Sequence, residues 1–183
     1  MIRFFDVVFA SVGLILGAPA LLLIYCAGLF DTGAPLFFQE RVGRHCKPFR
    51  LVKFRTMHVD TASVASHLAS RSSITRLGAF LRGTKLDELP QLWNVLKGEM
   101  SLVGPRPGLF NQEQLLHERS VRRVFDARPG ITGLAQVNGI DMSTPELLAK
   151  TDARMLESLT LSRYFKLILM TVAGKGQGDR VCR

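Results

Sequence analysis

The longest apolar segment of the sequence lies near its start. Residues 7–30 contain no charged side chain, and as one helix they would reach about 36 Å at about 1.5 Å per residue. That length is sufficient to cross a hydrocarbon core of about 30 Å. The pattern therefore predicts a membrane anchor in residues 1–32, followed by a single further domain in residues 33–183.

Pro19 lies near the middle of this apolar segment and follows Gly13 and Gly17. Proline removes a backbone donor and clashes with the preceding helical turn, so we expect a bend at this position. A helix that spans the membrane and a re-entrant helix that enters and leaves on one side both remain open. A cleaved signal peptide and a core helix of a soluble domain are disfavoured, because the apolar run is long and continues past Ala20.

After the apolar segment, the pattern indicates two short strands and then a series of amphipathic helical segments. Residues 36–39 and 49–57 predict two strands joined by a turn, and their period of two places Lys53 and Arg55 on one face. Residues 60–73 predict a loop or weak helix. Apolar spacing and capping residues predict helices in residues 74–81, 84–98, 111–125, from 143 onward, and 161–172. The pattern indicates a mostly helical α+β fold with a small β-hairpin.

The last predicted helix carries its apolar residues on one face, flanked by Arg163 and Lys166. A buried core helix would show this stripe, and so would an interfacial helix whose cations reach lipid phosphates. The sequence supports the two interpretations about equally. Gly174 follows the helix and is a plausible C-cap.

The net charge of the chain predicts an anionic partner. Lys and Arg outnumber Asp and Glu by 24 to 15, which gives a net charge of +9. This balance is typical of proteins that bind nucleic acid, acidic lipid or a phosphorylated substrate, and charge alone does not choose among them. The three cysteines and four histidines lack the spacing of a disulfide framework or a zinc site.

Residues 84–98 are the densest candidate for chemistry. Asp87 and Glu88 lie near a predicted helix N-terminus, where the helix dipole stabilises negative charge. Two helix starts remain open: Thr84 as the cap with Asp87 completing a capping box, or Pro90 as the first helical residue. Acids are common at helix starts, so this pair alone is weak support for catalysis.

Basic residues elsewhere in the chain strengthen the case for phosphate chemistry. Two carboxylates beside cations suit such chemistry through a divalent metal, and Mg²⁺ needs only one or two protein carboxylates besides substrate phosphates. Aspartate is also a recognised nucleophile at phosphorus. Arg106 lies between two prolines that restrict its backbone and pre-position its guanidinium for phosphate. The cations expected to converge on the acidic pair and bind phosphate are Lys53, Arg55, Arg82, Lys85 and Arg106.

Several motifs together resemble a known family. They are FFQERVGR at 37–44, KFRTM at 53–57, LDELPQLW at 86–93, EMSLVGPRP at 99–107 and RPGITGLAQVNG at 128–139. The match covers nearly the whole chain, and the long middle motif is highly specific. The chain resembles the bacterial sugar transferases, which are small monotopic phosphoglycosyl transferases, in their minimal form. The resemblance implies a re-entrant anchor with its break at Pro19 and a catalytic domain in residues 33–183.

The resemblance also implies a location and a two-step reaction. The catalytic domain would lie on the cytosolic face of the bacterial inner membrane, against an anionic phospholipid surface. Asp87 would attack the β-phosphorus of a UDP-sugar, expel UMP, and pass the phosphosugar to undecaprenyl phosphate, which initiates assembly of a bacterial glycan. Glu88 would hold Mg²⁺, while Lys53, Arg82 and Arg106 would contact phosphates. Nucleic acid is not an expected partner.

Two other functions compete with this one. A membrane-tethered binding module for acidic lipid or nucleic acid would explain the net charge of +9, but it leaves the acidic pair unexplained, and no nucleic-acid motif is recognisable. A metal-dependent phosphohydrolase would use the same residues with water as the acceptor. Dependence of turnover on a lipid acceptor separates the transferase from both.

Overall fold

The fold begins with one long helix. The computed structural model describes residues 1–61 and 71–175, so most of the loop or weak helix predicted in residues 60–73 lies outside the described residues. Helix α1, Ile2–Thr32, continues through Pro19 without leaving the helical state. It ends where Gly33 adopts a left-handed φ of 71° and donates its N–H to the Leu29 carbonyl.

A β-hairpin follows α1, as the alternating pattern predicts. Strand β1, Leu36–Val42, pairs antiparallel with β2, Pro48–Phe54, and Phe37 lies opposite Lys53. The Lys53 ammonium and the Arg55 guanidinium lie 5.7 and 5.4 Å from the centre of the same Phe37 ring. The prediction that these two cations share a face is therefore confirmed.

Short helices complete most of the chain. They are α2, Arg76–Thr84; α3, Gln91–Lys97; α4, Glu113–Val121; α5, Leu134–Val137; α6, Pro145–Glu157; and α7, Leu161–Val172. Two three-residue strands that the sequence pattern does not predict, β3 (Ser101–Val103) and β4 (Gly130–Thr132), pair in parallel. Three residues are too few for a period of two to be recognised, so only the folded chain reveals this pair. The mostly helical α+β class is confirmed.

The structure corrects the prediction of one helix over residues 84–98. Thr84 instead ends α2, and its hydroxyl donates to the carbonyls of Phe80 and Leu81. A separate 3₁₀ turn, Leu86–Glu88, precedes α3, and Pro90 is the N-cap of α3. The Thr84 cap is wrong, and the Pro90 alternative is right to within one residue, because proline cannot donate to the preceding turn. Gly98 ends α3 with φ 83°, as predicted.

The first turns of α1 are fastened to the rest of the domain. Arg3 donates from Nη1 to the Val95 carbonyl at 2.7 Å and from Nη2 to the Leu96 carbonyl at 3.1 Å, which satisfies the C-terminal end of α3. Asp6 is only 2% exposed. Its Oδ1 accepts from the Ser101 hydroxyl at 3.0 Å, the Leu102 N–H at 2.9 Å and the Tyr164 hydroxyl at 2.9 Å. One buried carboxylate thus joins α1, β3 and α7.

The opposite face of α1 is apolar and exposed. The helix is long and apolar enough to cross a membrane, and only 6% of its most hydrophobic window is buried within the protein. Helix α7 combines both interpretations of its apolar stripe. Tyr164 and Leu167 lie in the core, whereas Leu169 and Val172 are 67% and 80% exposed. Exposed apolar surface of this extent, contributed by two helices, marks a surface that contacts a membrane or another protein.

Replacing Asp6 with alanine tests the buried junction. The substitution leaves the Ser101 and Tyr164 hydroxyls and the Leu102 N–H without their acceptor, so we expect the free energy of unfolding to fall by about 3 kcal/mol or more. Denaturant unfolding in detergent micelles measures this. Asp31→Ala, at an exposed position of the same helix, serves as the control and should change stability by no more than about 0.5 kcal/mol. Equal losses in the two variants would contradict this role of Asp6.

Candidate active site

The two predicted acidic residues lie in the 3₁₀ turn between α2 and α3. Lys85 reverses the chain before this turn by adopting a left-handed φ of 59°, a conformation that costs energy in a side chain of this kind. Asp87 is 5% exposed, and the Glu88 side chain is 14% exposed. The turn packs against β2. Adjacent carboxylates are therefore held in a largely buried position beside the cationic face of the hairpin.

The proline-framed loop that follows β3 brings Arg106 to this turn. Its Nη2 donates to Glu88 Oε1 at 2.7 Å, forming a partly buried ion pair. The base of the loop is fixed by close backbone contact. Gly104 donates to the Thr132 carbonyl at 2.8 Å, and Gly130 donates to the Pro105 carbonyl at 2.9 Å. A Cβ at Gly130 would lie 2.0 Å from the Gly104 nitrogen, so glycine is required here.

The hairpin holds the same loop from the other side. Arg41 and Gln39 on β1 are only 7% and 8% exposed, and Arg41 Nη2 donates to Gln39 Oε1 at 2.5 Å. Arg41 Nη1 donates to the Pro107 carbonyl at 3.0 Å. The backbone N–H of Val42 donates to the Gly108 carbonyl, also at 3.0 Å. The loop is therefore held between the hairpin and β4, which fixes the backbone position of Arg106.

A small cleft opens where these elements meet. Within residues 1–61 and 71–175, it is lined by Arg41, Leu51, Lys53, Gln91, Arg106 and Pro107. Lys53 is 7% exposed and Gln91 is 4% exposed. Removing cations from water is costly unless negative charge compensates them. Cations thus dominate the wall of this cleft, and a phosphate group would match their charge.

Arg82 is a further predicted phosphate contact, and it lies on α2 beside the Leu86–Glu88 turn. Its Nε donates to the Thr56 hydroxyl at 2.8 Å. Its Nη1 is buried, and within the part of the chain that the structure describes it has no hydrogen-bond partner. A buried donor without a partner is unusual in a folded protein. A ligand oxygen would satisfy it.

The structure does not place Arg55 or Lys85 in the cleft. Arg55 donates from Nε to the Ala34 carbonyl at 2.8 Å and from Nη2 to the Leu36 carbonyl at 3.3 Å. These bonds fasten the junction between α1 and β1, which is a structural task. Lys85 Nζ donates at an exposed position to the Lys175 carbonyl, at 2.9 Å. Arg106 connects the others, because it pairs with Glu88 and lines the cleft together with Lys53. Asp87 precedes Glu88 in the turn, and Arg82 lies on the neighbouring helix.

Sequence reasoning missed two polar residues of the cleft, Arg41 and Gln91. The predicted first strand ends at residue 39, whereas β1 continues to Val42. Extending the alternation by one pair of residues would have placed Gln39 and Arg41 on the same face as Phe37, opposite Lys53. Gln91 gave no comparable signal, because a polar residue in the first turn of a helix is ordinarily solvated.

The described residues contain no group of three or more His, Cys, Asp or Glu side chains that would enclose a metal ion. The lack of such a group among them is compatible with Mg²⁺, which commonly binds one or two carboxylates together with substrate phosphates and water. Asp87 and Glu88 are adjacent acids, and Glu88 pairs with an arginine that lines the cationic cleft, so their chemistry fits such a shared site.

A second, larger cavity of about 620 Å³ lies between α1, the hairpin and α3. Its walls are mostly apolar and include Ala18, Leu22, Phe38, Val52 and Trp93, with the cations Arg50 and Lys97 also contributing. On the α1 side, the cavity is lined by Ala18, the residue that precedes Pro19. The cavity thus lies between the long apolar helix α1 and α3, the helix that follows the acidic turn.

The fold and the two cavities define a protein with an apolar N-terminal helix, a small cationic cleft and a larger apolar cavity. The sequence profile described as bacterial sugar transferase matches residues 1–176. The chain belongs to the bacterial sugar transferase family.

Individual relatives extend this comparison. An uncharacterized sugar transferase of Haemophilus influenzae is 42% identical over 78% of this chain and 34% of its own length. A UDP-galactose-lipid carrier transferase of Erwinia amylovora is 37% identical over 93% of this chain and 39% of its own length. The UDP-glucose:undecaprenyl-phosphate glucose-1-phosphate transferase of Caulobacter vibrioides is 41% identical over 93% of this chain and 67% of its own length. The chain thus spans less than half of the first two relatives.

Replacing Lys53 with methionine tests whether the cleft binds phosphate. Methionine keeps most of the apolar stem but removes the charge of a buried side chain, so the gain on adding ligand is measured for each variant from its own unliganded midpoint. Saturating pyrophosphate with Mg²⁺ should stabilise the wild type by about 2.7 kcal/mol at a hundredfold excess over Kd, and Lys53→Met should lose most of this gain. Thermal unfolding with and without pyrophosphate measures it. Arg55→Lys should lower the midpoint yet keep the gain, and the opposite pattern would contradict the assignment.

Proposed function

We propose that this protein transfers a sugar-1-phosphate from a UDP-sugar to undecaprenyl phosphate and releases UMP. The observation that carries the proposal is the ion pair of Glu88 with Arg106, which brings the acidic turn to the cleft that Lys53 and Arg106 line. Membership of the bacterial sugar transferase family supports it. So does the Caulobacter relative, which is named as a glucose-1-phosphate transferase between UDP-glucose and undecaprenyl phosphate. Relatives named for glucose and for galactose leave the choice of sugar to experiment.

The first step makes Asp87 the nucleophile. A carboxylate oxygen forms a bond to the β-phosphorus, and the bond from that phosphorus to the bridging oxygen breaks, so UMP leaves with that oxygen. In the second step, an oxygen of undecaprenyl phosphate attacks the same phosphorus, and the Asp87 carboxylate leaves. The product is a lipid diphosphate that carries the sugar. Splitting the transfer in this way replaces one difficult step with two easier ones.

The surrounding charges make the attack of a carboxylate on an anionic phosphate feasible. Lys53 and Arg106 would lie against non-bridging oxygens and neutralise charge that increases in the transition state. Arg82 Nη1, which has no hydrogen-bond partner among the described residues, would donate to another oxygen of the diphosphate. Glu88, with Asp87 beside it, would hold Mg²⁺, and the metal when bound would shield the diphosphate charge. Because Glu88 also accepts from Arg106, the same carboxylate positions that guanidinium.

The apolar cavity between α1 and α3 supports a lipid acceptor. Its mostly apolar walls suit a polyprenol chain rather than a soluble acceptor. Its α3 wall begins at Pro90, three residues after Asp87. A polyprenol chain lying in this cavity would contact the helix that follows the acidic turn. This arrangement favours a transferase over a hydrolase, since water needs no apolar entry.

We further propose that α1 is monotopic, with both of its ends on the cytosolic side of the inner membrane. Arg3 and Asp6 bind α3, β3 and α7 near the start of the helix. Near its end, Gly28 packs against Pro35, just before the hairpin. A spanning helix of 31 residues, about 46 Å long, would carry Arg3 and Asp6 to the far side. Those buried contacts would then be lost.

The test of the reaction is UMP release from a panel of UDP-sugars, with Mg²⁺ and undecaprenyl phosphate in micelles. At least one donor should give UMP release that depends on the lipid acceptor. Asp87→Asn should reduce kcat by about 10⁴-fold or more, as expected when a covalent nucleophile is removed. Asp31→Asn should retain activity, because residue 31 is exposed on α1.

Two outcomes would contradict the proposal. Full activity of folded Asp87→Asn would exclude Asp87 as the nucleophile. Release of free sugar-1-phosphate at the full rate without the lipid would indicate a phosphohydrolase instead.

Cysteine labelling tests the topology of α1. One variant keeps only Cys46, which is exposed in the hairpin turn, and a second carries its only cysteine in a short N-terminal extension. Because we expect both ends of α1 on one side, a membrane-impermeant thiol reagent should label both variants in inside-out vesicles and neither in sealed right-side-out vesicles. Labelling of the two variants from opposite sides would show a spanning helix.

A further inference from the structure

A fully buried ion pair joins α4 to α6 behind the Arg106 loop. Arg119 and Asp152 have side chains that are 2% and 1% exposed. Arg119 donates from Nε at 3.1 Å and from Nη2 at 2.6 Å, both to Asp152 Oδ2. Burial raises the pKa of the Asp152 carboxyl, and the Arg119 guanidinium opposes that rise. Burying both charges carries a desolvation cost, so stability alone is a weak explanation for the pair.

The remaining edge of the Arg119 guanidinium contacts the candidate active site. Its Nη1 donates to the carbonyl of Arg106 at 2.8 Å. The next two carbonyls of the loop, those of Pro107 and Gly108, accept from Arg41 and from the Val42 N–H. Consecutive carbonyls are thus held by donors from two different parts of the fold, and the one that belongs to Arg106 itself is held by Arg119.

The geometry of arginine suits this double contact. A guanidinium presents its N–H groups in a fixed plane. One edge, with Nε and Nη2, therefore binds Asp152 while Nη1 reaches the loop. A lysine would keep the charge beside Asp152 but would lack a rigid second donor. The Arg106 backbone would then lose one of its holding bonds, and its guanidinium would sample positions away from Glu88 and the cleft.

We propose that Arg119, oriented by Asp152, is a positioning residue for phosphosugar transfer. It fixes the carbonyl of Arg106, so that the Arg106 guanidinium is already aimed at Glu88 and at the phosphate of the donor. This proposal rests on the proposed function. It assigns a role at the active site to two residues of α4 and α6 that lie outside the motifs carrying the family resemblance.

A double-mutant cycle tests the coupling between Arg119 and Arg106. Arg119→Lys should lower kcat/KM for the UDP-sugar by about 10- to 100-fold, with most of the loss in kcat, because misplacing a group by about 1 Å has effects of this order. In an Arg106→Ala background, the same substitution should cost less than about twofold, since the group that it positions is gone. A purely structural role would give the same loss in both backgrounds, and that result would overturn the proposal.

Matched variants separate positioning from folding. Arg122→Lys is the control, because Arg122 pairs with Glu118 within the α4 segment, and it should leave kcat/KM within about twofold of wild type. Asp152→Asn keeps the size of the side chain while weakening its hold on Arg119, and it should show the same dependence on Arg106. Activities are compared below the unfolding temperature of each variant.

Hydrogen exchange supplies a readout that does not depend on turnover. Arg119→Lys should speed exchange in a peptide covering residues 104–112, whereas Arg122→Lys should not. If the wild type released no UMP from any donor, the proposed function would fail, yet the exchange experiment would still decide whether Arg119 holds the loop. Unchanged exchange in folded Arg119→Lys would overturn the positioning role.

Discussion

The ion pair between Arg106 and Glu88 joins the two parts of the chain on which the candidate site depends. Glu88 belongs to a 3₁₀ turn set by the reversal at Lys85, and Arg106 belongs to a loop set by the contact of Gly104 with Gly130. Each charged side chain is held in position at the site by its ion pair with the other. The 2.7 Å ion pair therefore requires the turn and the loop to lie side by side. The hairpin must lie there too, because Arg41 holds the loop.

The attachment of α1 to the core also constrains the candidate site, because it fixes the apolar helix relative to the acidic turn. An apolar helix on a flexible linker would hold the catalytic domain near a bilayer without orienting it. Here Asp6 and Arg3 connect the helix to the core, and the apolar cavity extends from α1 to α3. The physical consequence is that the apolar face of α1 and the acidic turn have a fixed relation. Under the proposed function, a lipid acceptor and a soluble nucleotide-sugar would approach the site from different sides.

Sequence reasoning reached the elements whose signals are local. The uncharged run of α1, the hairpin alternation and the glycine stop at Gly98 each depend on neighbouring residues, and each was predicted. It failed where distant segments decide the structure. The β3–β4 pair has three residues in each strand, and the split of residues 84–98 into a turn and α3 reflects how that segment packs on β2. The holding role of Arg119 likewise becomes visible only when α4, α6 and the Arg106 loop are brought together.

The most direct test of the account is the mass of the protein after incubation with its UDP-sugar and Mg²⁺, without a lipid acceptor, followed by acid quenching. The account predicts an adduct of one phosphosugar on the wild type that maps to Asp87. The adduct should be absent from Asp87→Asn and should disappear when undecaprenyl phosphate is added. Lipid-dependent transfer by a wild type that never carries the adduct, or an undiminished adduct on Asp87→Asn, would contradict it.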